Sequence, residues 1–261
     1  MASAPGAVVV TGASRGIGRQ VCVDLLSSRT HPLVHVIAIA RTHSALKALA
    51  STAPSPSRLH IIAGDVASST THEQVAATIK SLDMPVLALI NNAATISPTG
   101  PILDTQGKWT DILLTNLAAP LELCCVCANR LRESKGRIIN ISSSTSLAPV
   151  PGFGAYGMTK AALNYISQVI AQEYPEITAV AFYPGIVDTP MNQDVLQAAV
   201  GYAQDPHTTA DMSKVIGRLQ NPMSPSLPSA IIANLALTAD SSLSGGFFAY
   251  EDSKMDPYRA Q

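Results

Sequence analysis

Charge is scarce in this chain. Only 13% of its 261 residues are Asp, Glu, Lys or Arg, and 17 basic side chains against 18 acidic ones leave a net charge of −1. No basic face of the kind that nucleic acid or anionic lipid requires can be built from so even a balance. Cysteine is scarce too. Of four, three bunch at Cys124, Cys125 and Cys127, a spacing that suits neither a metal site nor a disulfide framework. Their apolar, helix-like setting reads as buried thiols in a reducing compartment. The first residues lack a basic segment leading into an apolar one and run within seven positions into Val8-Val9-Val10, which argues against a secretory signal. Long unbroken apolar runs are missing as well. Uncharged stretches such as Ile138 to Thr159 are interrupted by Ser, Pro, Gly and Asn, so no membrane span and a cytoplasmic location are expected. No repeat, heptad, low-complexity tract or linker appears, and 1–261 reads as a single domain.

What is present is a rhythm. Short β-branched, apolar runs (7–10, 33–40, 58–63, 85–90, 137–141, 177–182 and 245–250) alternate with helical stretches at 17–28, 44–50, 71–82, 109–132, 155–174 and 228–238. Strands with no polar face are buried on both sides, and their alternation with helices implies an α/β fold on a parallel sheet. Residues 191–225 are polar with scattered apolar positions and close in Pro222 and Pro225.

The chemistry concentrates in Gly136 to Lys160, GRIINISSSTSLAPVPGFGAYGMTK. Tyr156 and Lys160 are four apart and share a helix face. Ser143 stands at the carboxyl end of the preceding strand, where open α/β sheets place ligands. A phenol, an ammonium and a hydroxyl converging there suit protonation of a carbonyl oxygen as hydride reaches its carbon. An adjacent ammonium is expected to pull the phenol down from its ordinary value near 10.

A second constellation follows the first strand: TGASRGIG, 11–18, supplies Gly12, Ser14, Arg15, Gly16, Ile17 and Gly18 as candidate phosphate contacts. Glycines let the backbone approach an anion, and the opening helix offers free N–H groups. A chain selecting NAD usually places an acid about 20 residues past the glycines to hold the ribose. Here no Asp or Glu occurs from Leu25 to Gly64, while Arg41 follows the second strand and Arg15 sits in the turn. A guanidinium suits a 2′-phosphate, so the expected cofactor is NADPH/NADP+.

The spacing of Gly12, Gly16 and Gly18, with Asp65, NNAA at 91–94, Asn116, Ser143-Tyr156-Lys160 and PGIVDT at 184–189, resembles the short-chain dehydrogenase/reductase family over essentially the whole chain. NNAA departs from the family's usual NNAG by one small residue. The resemblance implies a Rossmann-type doubly wound parallel sheet of about seven strands with helices on both faces. It further implies that Asp65 and the Val66 backbone meet the adenine, and that Asn91, Asn92 and Ala93 line the adenosine side and brace the sheet. Asn116 would hold a water that relays protons to Lys160. Pro184 and Gly185, with Thr189, would form the turn beside the nicotinamide, where the backbone near Val187 would hold the carboxamide with the Thr189 hydroxyl nearby, and 191–225 would cover the substrate. YPGIVDTPM and LSGGFFAYEDSKM look like the fungal reductases grouped with sepiapterin and benzil reductases. The function implied is NADPH-dependent reduction of a ketone or 1,2-dicarbonyl. A 3-oxoacyl-thioester reductase and a non-catalytic nucleotide-sensing scaffold stand as alternatives. Expected partners are a small carbonyl substrate and, from apolar outer helix faces, a second copy in a homodimer or homotetramer. No metal, nucleic acid or membrane is expected.

Overall fold

The apolar runs pair. In the computed structural model, which describes residues 5–205 and 210–259, seven strands form one parallel sheet: β1 (Gly6–Thr11), β2 (Val34–Ala40), β3 (Leu59–Ala63), β4 (Val86–Asn91), β5 (Arg137–Ile141), β6 (Thr178–Tyr183) and β7 (Phe247–Ala249). Their order is β3-β2-β1-β4-β5-β6-β7. The chain therefore winds outward one way from β1, then crosses back to β4 and winds the other way. The reversal opens a crevice at the carboxyl ends of β1 and β4. Val8, Val9 and Val10 have no exposed surface, each such burial being worth about 1.5–3 kcal/mol.

Helices cover both faces because successive strand residues point to opposite sides. On one face α1 (Gly16–Leu26), α2 (His43–Thr52) and α9 (Ser226–Thr238) bury Leu25, Leu46 and Leu235 against Val8 and Val36. On the other, α3 (Ser69–Leu82), α5 (Ala119–Ser134) and α6 (Gly154–Glu173) bury Val75, Leu123 and Ile170 against Val9 and Ile37. The stretch expected as one helix over 109–132 is α4 (Thr110–Leu113), a π-helical turn (Leu114–Ala118) and α5 in continuous succession.

That continuity corrects the expectation that no segment has the make-up of a span. Thr110–Ser134 is long and apolar enough by length and composition, with mean hydropathy 1.5 in its most apolar window. Asn116 and Pro120 do not end the helix, because the π turn absorbs the irregularity and Pro120 falls in the first turn of α5, where its missing N–H costs little. Its inner side chains Leu123, Cys127 and Leu131 are in the sheet core. Cys22, Cys124 and Cys127 are buried as expected, but Cys125 is exposed.

The 191–225 segment holds α7 (Pro190–Gln204) and α8 (Ser213–Leu219). They close over a small core of their own, in which Phe153 meets Ala199, Met212 and Leu219. Residues 206–209 of this segment lie outside the described residues.

Candidate active site

At the crevice, Thr11 ends β1 and ties the glycine turn to β4. Its Oγ1 accepts from the Asn92 and Ala93 backbone amides, both at 2.9 Å, and Asn92 Nδ2 donates back to the Thr11 carbonyl at 2.9 Å. Gly12 turns at φ +69°, and a Cβ there would stand 2.7 Å from Asn92 Nδ2; one on Gly18 would stand 2.5 Å from the same atom. Only bare backbone fits between the turn and Asn92, which keeps the loop close-packed and its amides near the crevice. Arg15 caps α1 in extended conformation without a side-chain hydrogen bond, leaving first-turn amides for another acceptor. Ser14 and Gly16 sit in the same turn, and Ile17 lines the cleft. This cradle fits a dinucleotide pyrophosphate.

The candidate 2′-phosphate cations are both exposed, and neither Arg15 nor Arg41 makes an ion pair among the described residues. Arg58 shows the contrast, since its guanidinium is spent on the Val34 and Leu26 carbonyls and Ser55. Asp65 is exposed, and one of its carboxylate oxygens accepts from the Ala67 amide at 2.9 Å. Val66 is buried beside it. Asn91 braces the sheet as expected but does not line the cleft. It is buried on the far side of β4, where its Nδ2 donates to Asn140 Oδ1 at 2.8 Å. Alternate strand residues face opposite ways, so Asn92 and Ala94, not Asn91, line the cleft.

Ser143 leaves β5 and caps a short 3₁₀ turn (Ser144–Ser146), its Oγ accepting from the Thr145 amide at 3.2 Å and from Thr145 Oγ1 at 2.9 Å. With those acceptor positions taken, its own proton is free for another partner, and Ser143 and Tyr156 line the same cleft. A residue the sequence did not single out holds this loop. Buried Asn164 accepts from Ser142 Oγ at 2.6 Å and donates to Ser146 Oγ at 2.9 Å. Helix α6 also comes very near: a Cβ on Gly157 would stand 2.8 Å from the Thr145 carbonyl.

Lys160 is 2% exposed and its Nζ donates to the Ile141 carbonyl at 2.7 Å. Burial lowers its pKa to about 8. The expected depression of Tyr156 is not found. Burial pushes the phenol up to about 12, with the Ser143 hydrogen bond pulling the other way and the Tyr183 phenol adding to the rise. Desolvation acts on both groups, and the ammonium, 5.5 Å from the ring centre, does not offset it.

Asn116 lies within the π turn, fully buried. Its Oδ1 accepts from Thr95 N at 2.8 Å, and its Nδ2 donates to the Thr95 carbonyl at 2.8 Å and to Thr159 Oγ1 at 3.2 Å. The side-chain amide thus ties the loop after β4 to α6, and its oxygen already accepts a bond.

Beyond β6, Pro184, Gly185, Val187 and Thr189 line the same cleft, about 280 Å³ in volume, which also holds Ser143, Tyr156 and Lys160. Thr189 caps α7, its Oγ1 accepting from Asn192 N at 3.2 Å. Two further lining residues escaped the sequence reading: Lys214 and Arg218, on α8. Their spacing of four was the available signal.

The model of the family described as short chain dehydrogenase matches residues 6–199. The chain belongs to that family. Family members that resemble it include a benzil reductase ((S)-benzoin forming) of Bacillus cereus, 34% identical over 74% of this chain and 80% of that one. A Saccharomyces cerevisiae protein of the same description is 26% identical over 96% and 97%. Sepiapterin reductase of Mus musculus is 29% identical over 79% and 82%. Among solved structures, a Beutenbergia cavernae protein assigned as an NAD(P)-dependent gluconate 5-dehydrogenase, with NADP bound at low occupancy, superposes with a TM-score of 0.77. It is 26% identical over 95% of this chain and 96% of that one. This short-chain dehydrogenase is therefore an oxidoreductase, and the resemblance to benzil and sepiapterin reductases read from its C-terminal motifs agrees with these relatives.

Proposed function

We propose that the chain is an NADPH-dependent reductase acting on a ketone or 1,2-dicarbonyl compound. The observation that carries this reading is the convergence of Ser143, Tyr156 and Lys160 in one cleft at the carboxyl end of β5. The names of the benzil and sepiapterin reductases among its relatives support the substrate class. NADPH bound along the crevice supplies the hydride. Gly12 to Gly18 hold its pyrophosphate, Arg15 and Arg41 its 2′-phosphate, Asp65 and Val66 its adenine, and Asn92 and Ala93 its adenosine side. Pro184, Gly185, Val187 and Thr189 hold the carboxamide.

Ser143 and Tyr156 donate hydrogen bonds to the substrate carbonyl oxygen, and Tyr156 gives that oxygen its proton. A phenol raised by burial stays protonated across the working range, which suits an acid in the reductive direction. Lys160 holds the ribose hydroxyls and supplies positive charge beside the phenol. Asn116 serves through the backbone of its π turn, whose carbonyls leave the regular ladder and can hold the reprotonating water. The α7–α8 segment covers the substrate, and catalysis proceeds in the cytoplasm. Leu114, Leu121, Met158 and Tyr165, exposed on the α5 and α6 side, mark the contact of a homodimer or homotetramer, which sedimentation at micromolar concentration would resolve from a monomer.

The test is oxidation of NADPH with benzil, a simple 1,2-dione and an acetoacetyl thioester by the parent and Tyr156→Phe proteins. Dione turnover should fall by about 10²–10⁴-fold or more in the variant. Near-parent reduction by Tyr156→Phe would sink the mechanism. Preference for the thioester would move the protein to acyl-chain reduction, and NADP+ binding without any turnover would favour a nucleotide-sensing scaffold.

A further inference from the structure

The cleft is lopsided in charge. Lys160, Lys214 and Arg218 line it, and no Asp or Glu does. Lys160 is committed to the Ile141 carbonyl. Lys214 and Arg218 are committed to nothing, for neither makes an ion pair among the described residues. They sit four apart on α8, so their charges project from one face and repel. The helix bearing them is not loose. Leu219 and Met212 are buried against Phe153 and Ala199, and Asn192 Nδ2 on α7 donates to the Leu219 carbonyl at 3.0 Å. The acid nearest in sequence, Asp211, turns its carboxylate to the Ser213 amide. The Tyr250 phenol is pushed up to about 12, first by its hydrogen bond to Glu251 and by burial, with the Arg218 charge pulling the other way, and Tyr250 packs on Gly185 in the cleft wall. Arg218 lines the same cleft as Gly185, Tyr156 and Lys160.

We infer that Lys214 and Arg218 form an anion-recognition site on the α8 helix, gripping a negatively charged oxygen group that lies in the cleft. The inference rests on the proposed reductase reading and deepens it. The group is an oxyanion carried either by the carbonyl substrate, as a carboxylate, or by the bound dinucleotide, as its phosphate. Arg218 offers the planar, paired donors that match either, and Lys214 adds a point charge beside it. The apolar residues next to them, Val195, Val215 and Met191, keep the remainder of the pocket suited to an apolar or aromatic flank. A substrate read this way is an aromatic or branched 2-oxo acid as readily as a neutral dione.

The experiment uses the full chain, the double variant Lys214→Gln/Arg218→Gln and the conservative Arg218→Lys. Calorimetry titrates NADP+ into each protein, then benzoylformate into each protein saturated with NADP+. Turnover of benzoylformate and of its neutral methyl ester is measured alongside. Loss of about tenfold or more in NADP+ affinity in the double variant, the order of one charge-assisted hydrogen bond, assigns the site to the dinucleotide phosphate. A similar loss for benzoylformate with NADP+ affinity kept, and with kcat/KM falling about tenfold further for the acid than for the ester, assigns it to a substrate carboxylate. Arg218→Lys should recover part of either loss. Affinities for both ligands within about twofold of the parent, or no binding of either by the parent, would overturn the inference. Turnover of the ester by the parent reports the reductase reading separately, since its failure leaves the two titrations able to decide this one.

Discussion

The Lys160 ammonium nitrogen lies over the Tyr156 ring, 5.5 Å from its centre, and donates to the Ile141 carbonyl at 2.7 Å. Lys160 is buried and Tyr156 half-buried, and desolvation moves them in opposite senses: the ammonium falls to about 8 while the phenol rises to about 12. At neutral pH the pair is therefore cation plus neutral phenol, the state in which a proton can be given up to a substrate oxygen.

This geometry fixes the pH dependence expected of the pair. Reductive kcat/KM should decline as pH rises through about 8, following loss of the Lys160 proton, with no second limb from Tyr156 below pH 10. Stability should move the other way. The folded pKa of Lys160 lies below the ordinary value of 10.5, so between about 8 and 10.5 the unfolded chain binds more protons, and the burial penalty fades as pH climbs. Thermal melts of Lys160→Met against the parent check the sign: any advantage of the variant should shrink from pH 7 to pH 9.5. An advantage that grows with pH would contradict the assignment.

Arg41 stands at the end of β2 with no acidic residue between Leu25 and Gly64 to compete for it. Arg41→Glu should lower kcat/KM with NADPH by about tenfold or more, the cost of trading a charge-assisted contact for repulsion. The NADH value should hold or rise. Initial rates with the two cofactors at a fixed dione concentration decide it, and an unchanged ratio would remove Arg41 from the site.

Asn164 holds the loop that presents Ser143, through Ser142 on one side and Ser146 on the other. Asn164→Ala removes one hydrogen bond from each hydroxyl, while Ser146 Oγ keeps the Ser143 carbonyl and Ser142 Oγ keeps only longer contacts, and unfolding in urea should show a loss of about 1–3 kcal/mol. Because the loop shifts with it, kcat should fall more than the KM for NADPH rises. Parent-like stability and kcat together would show that the loop holds its shape unaided.

The strands were legible because each is a short apolar run buried on both sides, as Val8 to Val10 and Ile138 to Ile141 show. The seven-stranded parallel sheet follows from their alternation with helices, and local spacings alone bring Ser143, Tyr156 and Lys160 toward one cleft. What escaped depends on three dimensions. Asn91 looked like part of a cleft motif, yet strand alternation turns it into the core beside Asn140. Local charge logic placed the Tyr156 pKa too low, because a neighbouring ammonium can be read from a spacing of four but the depth of burial cannot. Asn164 and the Lys214–Arg218 pair look like ordinary helix residues until the loop and cleft that they face are in place.

The crevice is stitched from distant parts of the chain, and this bears on how it is made. Thr11 closes the glycine turn only by meeting Asn92 and Ala93, and Ser229 on α9 reaches back to the Ile17 carbonyl at 3.4 Å. The first nucleotide-binding turn emerges from the ribosome early, but its β4 partner comes some eighty residues later and its α9 cover nearly at the end. Parallel pairings of such long range form slowly. The nascent chain therefore carries an unpaired β1 edge until β4 emerges, and a valine-lined sheet face without its α9 cover until synthesis is almost complete, a window in which chaperone capture would matter most.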